Sequence, residues 1–220
     1  MEVALPLLVS CAIGAPAFGQ SVRVARGNLF YDPPGDQAPR QLTSSGHDAV
    51  PALSADGHLV AFVRTTRLEL IDTGSGQDSA TDLWVVAIDG SQARRVLEAR
   101  ASDDLKRVLA GINTLEFSPD GRSVYFISAA WATSGAIHVF DLATAQERFV
   151  CNGNSLEVVR AGQYVGDLLV EQHRYHDQGG SYDWVWLISP DGRELAPVGD
   201  PGSTGFDARI ARFRGKAPHN

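Results

Sequence analysis

The chain has 220 residues, with 26 Asp and Glu against 19 Lys and Arg, a formal net charge of −7, and 44% hydrophobic and 20% charged residues. This is a globular composition, which excludes a disordered chain and a long coiled coil, and the length allows one domain or two small ones. The acidic balance argues against a nucleic-acid binder, which needs a basic face for phosphates. Two cysteines make neither a disulfide-rich scaffold nor a four-thiolate zinc site.

Residues 3–18 form an apolar run broken by Pro6, Gly14 and Pro16. It is shorter than the roughly 20 apolar residues that span a bilayer, so no transmembrane segment is expected. Ala17-Phe18-Gly19 before Gln20 has the small-x-small form of a signal-peptidase site, which makes residues 1–19 a secretory signal. Glu2 stands where such signals carry positive charge, and the alternative is an apolar first strand. Leu8-Val9-Ser10-Cys11 also resembles a lipoprotein box, which would put a lipid on Cys11. The expected location is periplasmic or secreted. Cys151 ends the apolar run Phe149-Val150-Cys151 and reads as a buried, inert thiol.

Further along, blocks repeat. Ser54-Ala55-Asp56-Gly57 and the strand-like run after it match Ser118-Pro119-Asp120-Gly121 and its run at an offset of 64. Asn113-Thr114-Leu115-Glu116 recurs as Asn154-Ser155-Leu156-Glu157 at an offset of 41. Residues 82–90 match 136–144 and 184–192, with Trp84, His138 and Trp186 at one repeat position. In Ser-Pro-Asp-Gly, proline presets the turn, Ser and Asp bond the local backbone, and glycine takes the left-handed position. The flanking runs are rich in Val, Ile, Phe, Tyr and Trp, and several are apolar throughout, which predicts strands buried on both faces.

A repeat of this length with four short strands predicts an all-β fold, a β-propeller of four-stranded antiparallel blades. Blade one is expected at 49–54, 58–64, 82–88 and 93–97, and blade two at 113–118, 122–128, 136–142 and 145–150. Blade three is expected at 156–160, 167–174, 182–189 and 194–198. Leu29-Phe30-Tyr31 and residues 39–43 look like the outer strands of a fourth blade. Residues 206–213, read as a strand, would complete that blade and close the ring, so that 20–220 form one domain. An incomplete propeller, or one closed by dimerisation, is the alternative. One helix is expected, from Ser102 to Ala110, with Ser102 as N-cap and Gly111 as terminator.

At these residues the chain resembles the TolB-type β-propeller repeat, a WD-like repeat of bacterial periplasmic proteins. Gln41-Leu42-Thr43, Ser54 to Phe62, Asp82 to Gly90 and Ser118 to Phe126 carry the resemblance. It implies the propeller fold and a secreted or periplasmic bacterial branch of that repeat. TolB proteins add an α/β domain and have six blades, which these residues do not present, so their partner role is not transferred.

Strand parity marks one face of the disc. The first-to-second and third-to-fourth turns are short, whereas residues 65–81, 98–112, 129–135 and 175–181 are long connections on the opposite face. Long loops on a rigid scaffold carry function, so ligand contacts are expected there. The candidates are Trp131 and Tyr175 as anchors with Tyr182, Arg64, Arg67 and Arg174 for an anionic group, and His173, His176 and Asp177 for metal or acid–base chemistry. His173 and His176 are three apart, on opposite faces of a strand, and a third ligand would have to be His47 or His138. No metal, cofactor or catalytic residue is assigned, and the common hydrolase motifs do not occur. The expected function is non-catalytic binding of an unidentified protein or cell-envelope component, by a monomer or a closing dimer, without nucleic acid. The alternative is a propeller enzyme, a polysaccharide lyase or hydrolase.

Overall fold

The computed structural model describes residues 19–215. Strands β1 (Ser21–Ala25), β2 (Asn28–Asp32) and β3 (Arg40–Gln41) form a three-stranded antiparallel sheet in that order. Blade one follows with β4 (Asp48–Leu53), β5 (Leu59–Thr73), β6 (Gly76–Ala87) and β7 (Arg94–Leu97). Blade two holds β8 (Asn113–Phe117), β9 (Ser123–Trp131), β10 (Ser134–Asp141) and β11 (Gln146–Gly153). Blade three holds β12 (Ser155–Val158), β13 (Leu168–Tyr175), β14 (Ser181–Ile188) and β15 (Glu194–Gly199). Helix α1 (Phe206–Phe213) ends the described chain. This is a mostly β protein with the four antiparallel sheets of a β-propeller.

The turns carry the chemistry of their sequence. The Ser54 hydroxyl donates to the Asp56 carboxylate (2.5 Å), the Gly57 amide donates to the Ser54 carbonyl (2.9 Å), and Gly57 has φ of 73°. The Ser118–Gly121 turn repeats these bonds at 2.6 and 2.9 Å. Hydrogen bonding from Ser54 holds the Asp56 carboxyl below its ordinary range, and Ser189 does the same for Asp191 at the β14–β15 turn.

Period-2 alternation sorts successive side chains into successive interfaces. On β5, Val60 and Phe62 pack with Leu29, Tyr31 and Leu42 of the first sheet, while Ala61 and Val63 join Leu115, Phe117, Val124 and Phe126 of blade two. On β9, Val124 and Phe126 face blade one, while Tyr125 and Ile127 join Leu156, Leu168 and Val170 of blade three. On β13, Leu169 turns the other way, toward Val185, Leu187 and the Ile210 side chain of α1.

Three expectations are corrected. Residues 206–213 are helix, not a closing strand: Phe206, Ile210 and Phe213 lie on one helical stripe and pack on blade three, with Tyr164 and Phe213 rings 5.4 Å apart. Arg214 grips Glu157 through both carboxylate oxygens (2.7 and 2.5 Å). The first sheet instead gains β1, absent from the sequence reading. Strand direction alternates, so β1, β2 and β3 take the second to fourth positions of a blade. β1 itself runs beside β4, with the Gly27 carbonyl accepting from the Asp48 amide (2.8 Å). Residues 102–110 are not a helix. Arg100 and Leu109 pair in an isolated bridge, and Val108, Leu109 and Ala110 are buried; a nine-residue segment gains too little from helix propagation to resist that packing.

Residues 65–81 and 129–135 are not open loops either. β5 and β6 extend as a ribbon paired Leu70↔Ser79 to Thr73↔Gly76 beyond an irregularity at Thr65, and β9–β10 close tightly at Ala132-Thr133. The ribbon tip reaches blade two: Gly74 bridges Trp131, where a Cβ would lie 2.6 Å from the Ala130 carbonyl oxygen.

Ile210→Ala is expected to lower stability by about 2–5 kcal/mol in urea unfolding, whereas the exposed Arg212→Ala stays within about 0.5 kcal/mol. Equal effects would contradict the capping role of α1.

Candidate functional site

Residues of the 98–112 and 129–135 connections and of the β13 end meet at one groove, together with Gly192 and Glu194 from the short β14–β15 turn; residues 65–81 do not line it. Between β11 and β13 lies a groove of ≈ 820 Å³. Trp131 and Phe149 stand on its blade-two side with rings edge-to-face at 6.3 Å, and the Lys106 ammonium sits 5.5 Å from the centre of the Phe149 ring. His173 and Tyr175 stand on the blade-three side, rings edge-to-face at 5.0 Å. The Thr133 and Tyr175 hydroxyls approach to 3.4 Å across the mouth. The β9–β10 tip is fixed by Asn154, whose amide nitrogen donates to the Thr133 carbonyl (3.0 Å) and whose oxygen accepts from the Gly135 amide (3.2 Å). The floor is Val150, Cys151, Gln172 and Ile188.

The titratable groups that line the groove are mostly partnered. Arg174 pairs with Glu194 (2.5 Å), bonds Gln172, and lies 3.8 Å over the Trp186 ring. His173 Nδ1 meets the Asp183 carboxylate at 2.8 Å. Burial pushes the Cys151 thiol up to about 12, so it stays a neutral thiol at physiological pH.

Of the residues singled out in the sequence, Trp131, His173, Arg174 and Tyr175 line the groove. Arg64 does not: it forks onto buried Asp48 (2.6 and 3.0 Å) and stacks 4.3 Å from Trp84. Arg67 is drawn to Glu98 (3.4 Å), Glu69 (3.6 Å) and Asp82 (3.9 Å) inside blade one. His176 stacks on Tyr182 at 4.6 Å beside the 176–180 turn, where Asp177 is exposed. The His173–His176–Asp177 set is therefore not assembled, and among the described residues no cluster of three or more His, Cys, Asp or Glu is placed to hold a metal. Lys106, Phe149, Asn152 and Gln172 are lining residues that sequence reasoning missed. The one signal for Lys106 was its rarity, since the chain has two lysines.

His138, the repeat-position counterpart of Trp84 and Trp186, has another role. It is fully buried, stacked 5.2 Å from Phe126, with Nδ1 2.7 Å from Glu147 and Nε2 3.1 Å from the Ser128 hydroxyl. The Ser128 hydroxyl donates its one proton to the Val108 carbonyl (3.1 Å), so its oxygen is the acceptor toward Nε2, and Arg100 holds Glu147 (3.0 Å). The connectivity is that of a hydrolase triad, but Ser128 is 0% exposed and its proton is engaged by a backbone carbonyl. The network is a clasp that fixes the 98–112 connection, and with it Lys106, to blade two. Burial raises the Glu147 carboxyl, but the bonds from His138 and Arg100 outweigh it, leaving it below its ordinary range. The Glu147 contribution to stability is thus complete above its unfolded value of 4.5 and fades as pH falls through the lower folded value.

No protein-family model and no curated protein matches this sequence. Solved structures do. A TolB structure from Agrobacterium tumefaciens superposes with TM-score 0.58 at 14% identity, over 85% of this chain and 60% of that one. The β-propeller domain of the Trilobed protease from Pyrococcus furiosus, of open velcro topology, gives 0.52 at 15% identity over 77% and 48%. An oligogalacturonate lyase in complex with manganese gives 0.52 at 13% identity over 80% and 43%. The chain spans 43–60% of the length of these structures, and at such identities the likeness establishes the propeller fold.

Two outcomes check this geometry. His138→Ala is expected to cost about 1–3 kcal/mol and to raise amide exchange in residues 100–110 ahead of the blades; unchanged exchange there would refute the clasp. Cys151 is expected to resist iodoacetamide at pH 8 until the protein is denatured, and rapid alkylation of the native protein would contradict its raised pKa.

Proposed function

We propose that this chain is a secreted or periplasmic β-propeller that binds a protein or envelope component without catalysis, in the groove between blades two and three. The observation that carries the reading is the placement of Trp131, Phe149 and Tyr175 around one cleft of ligand size. Tyr175 is 65% exposed on a rigid strand end, which suits a recognition anchor. Arg174 and His173 are committed to Glu194 and Asp183, which suits a wall more than a reaction centre. The apolar run at residues 3–18, read as a signal and lying outside the described residues, and the resemblance to the TolB-type repeat support a location outside the cytoplasm. No helix among the described residues is long and apolar enough to cross a membrane.

A second reading, proton abstraction in a lyase-type reaction, is favoured by His173 alone, whose ring is oriented by Asp183 at the groove. The two readings separate experimentally. Capture of a component from membrane-enriched lysate is expected for the wild type and for His173→Gln, and is expected to be lost in Trp131→Ala and Tyr175→Ala variants that melt normally. Capture indifferent to Trp131 and Tyr175 would remove the groove as the site. Turnover of an envelope polysaccharide that disappears in His173→Gln would replace binding by catalysis.

A further inference from the structure

The groove does not end at Phe149. A second hollow of ≈ 410 Å³ shares Lys106 and Phe149 with it and is lined further by Arg100, Arg107, Arg148, Asp104 and Glu147. In a chain of net charge −7, four cations here meet two carboxylates. Glu147 is engaged by His138 and Arg100, whereas Asp104 accepts only from the Lys106 backbone amide (3.0 Å) and keeps its charge, so the cations still outnumber the free carboxylates. Arg148 donates to the Pro190 carbonyl (2.6 Å), a bond that leaves its charge uncompensated. Among the described residues, Lys106, Arg107 and Arg148 are exposed cations with no carboxylate partner.

The two hollows share Lys106 and Phe149, so together they suit a ligand that offers apolar faces to the aromatic rings and negative charge to the cations beside them, with hydroxyls to meet Asn152 and Thr133. An extended peptide fits poorly, because strand addition needs a free edge. The β11 edge is covered: Gly192 packs so closely on the Val150 carbonyl that a Cβ would lie 2.3 Å from its oxygen, and Gln172 donates to the Asn152 carbonyl at 2.6 Å. A pyranose ring has an apolar C–H face that lies on aromatic rings and hydroxyls on its rim, and a uronic acid adds one carboxylate per unit.

We infer that the groove and the basic hollow form one site for an acidic oligosaccharide, a short chain of uronic-acid units. Its ring faces lie against Trp131, Phe149 and Tyr175, and its carboxylates meet Lys106, Arg107 and Arg148. The inference rests on the groove being the binding site and adds the chemistry of the ligand. The rim cations are worth most at low salt, because they face solvent.

Calorimetric titration of the folded full chain with oligomers of glucuronic acid, neutral glucose oligomers and polyglutamate tests it. Glucuronate oligomers are expected to bind, more tightly at low salt, with neutral oligomers weaker by about tenfold or more. Lys106→Glu and Trp131→Ala, each checked for an unchanged melting temperature, are expected to weaken glucuronate binding by about tenfold. Glucuronate binding indifferent to both substitutions would overturn the placement. Tighter binding of polyglutamate, sensitive to the same residues, would overturn the ligand class while leaving the groove as the site. No binding of any saccharide would overturn the inference, and Trp131-dependent capture from lysate would then still stand by itself.

Discussion

Strands that are apolar on both faces cannot lie at a surface. In this chain β5, β9 and β13 each send alternate side chains into two different interfaces, so blades one, two and three must each be covered on both faces. Each interface is stabilised by roughly 25 cal/mol per Å² of apolar area removed from water, and each depends on its neighbours being present. The ends of the stack therefore need covers. Blade three is covered by α1. The first sheet turns a polar outer side to solvent, where Arg23 pairs with Asp32 (3.1 Å) and lies 4.9 Å over Phe30.

That constraint also makes the groove. Close packing between blades two and three ends along these strands where the apolar residues end, at Val150, Cys151 and Val170. Beyond them β11 and β13 continue with Asn152, Gln172 and Arg174, whose polar side chains cannot interdigitate as the core does, and a cleft remains. Rigid strands carry the aromatic residues to its edges, and the His138 clasp adds the connection that brings Lys106. Buried polar networks of this kind fix one arrangement because leaving any member unpaired is costly.

The strand positions of the three full blades were legible in the sequence to within one to three residues at most ends, because Asp-Gly turns and doubly apolar runs are local signals. What escaped was set by longer-range context. β1 reads Ser-Val-Arg-Val-Ala, a half-polar segment that becomes a strand by pairing with β2. The tail from Phe206 to Phe213 suits either period, and blade three's uncovered face selects the helical one. Residues 65–81 are polar enough to read as a loop, yet a hydrogen-bonded ladder holds most of them extended with little core. Trp131, His173, Arg174 and Tyr175, singled out because strand parity places their loops on one face, line the groove. Arg64 and Arg67 share that parity, but buried Asp48 and Asp82 draw their charge inward. Phe149, Asn152 and Gln172 line the groove only through the face-to-face packing of two consecutive blades, which no local spacing encodes.

The division of adjacent β9 side chains between opposite neighbours is the central claim, and methyl-labelled NOE spectroscopy reads it directly. The account predicts that Val124 methyls show cross-peaks to blade one, from the group of Val63, Leu83 and Val85, while Ile127 methyls show them to Leu156 and Val170 of blade three. Cross-peaks from Val124 and Ile127 to the same partner sheet would mean that the blades do not stack in this order, and neither the propeller nor the groove would stand.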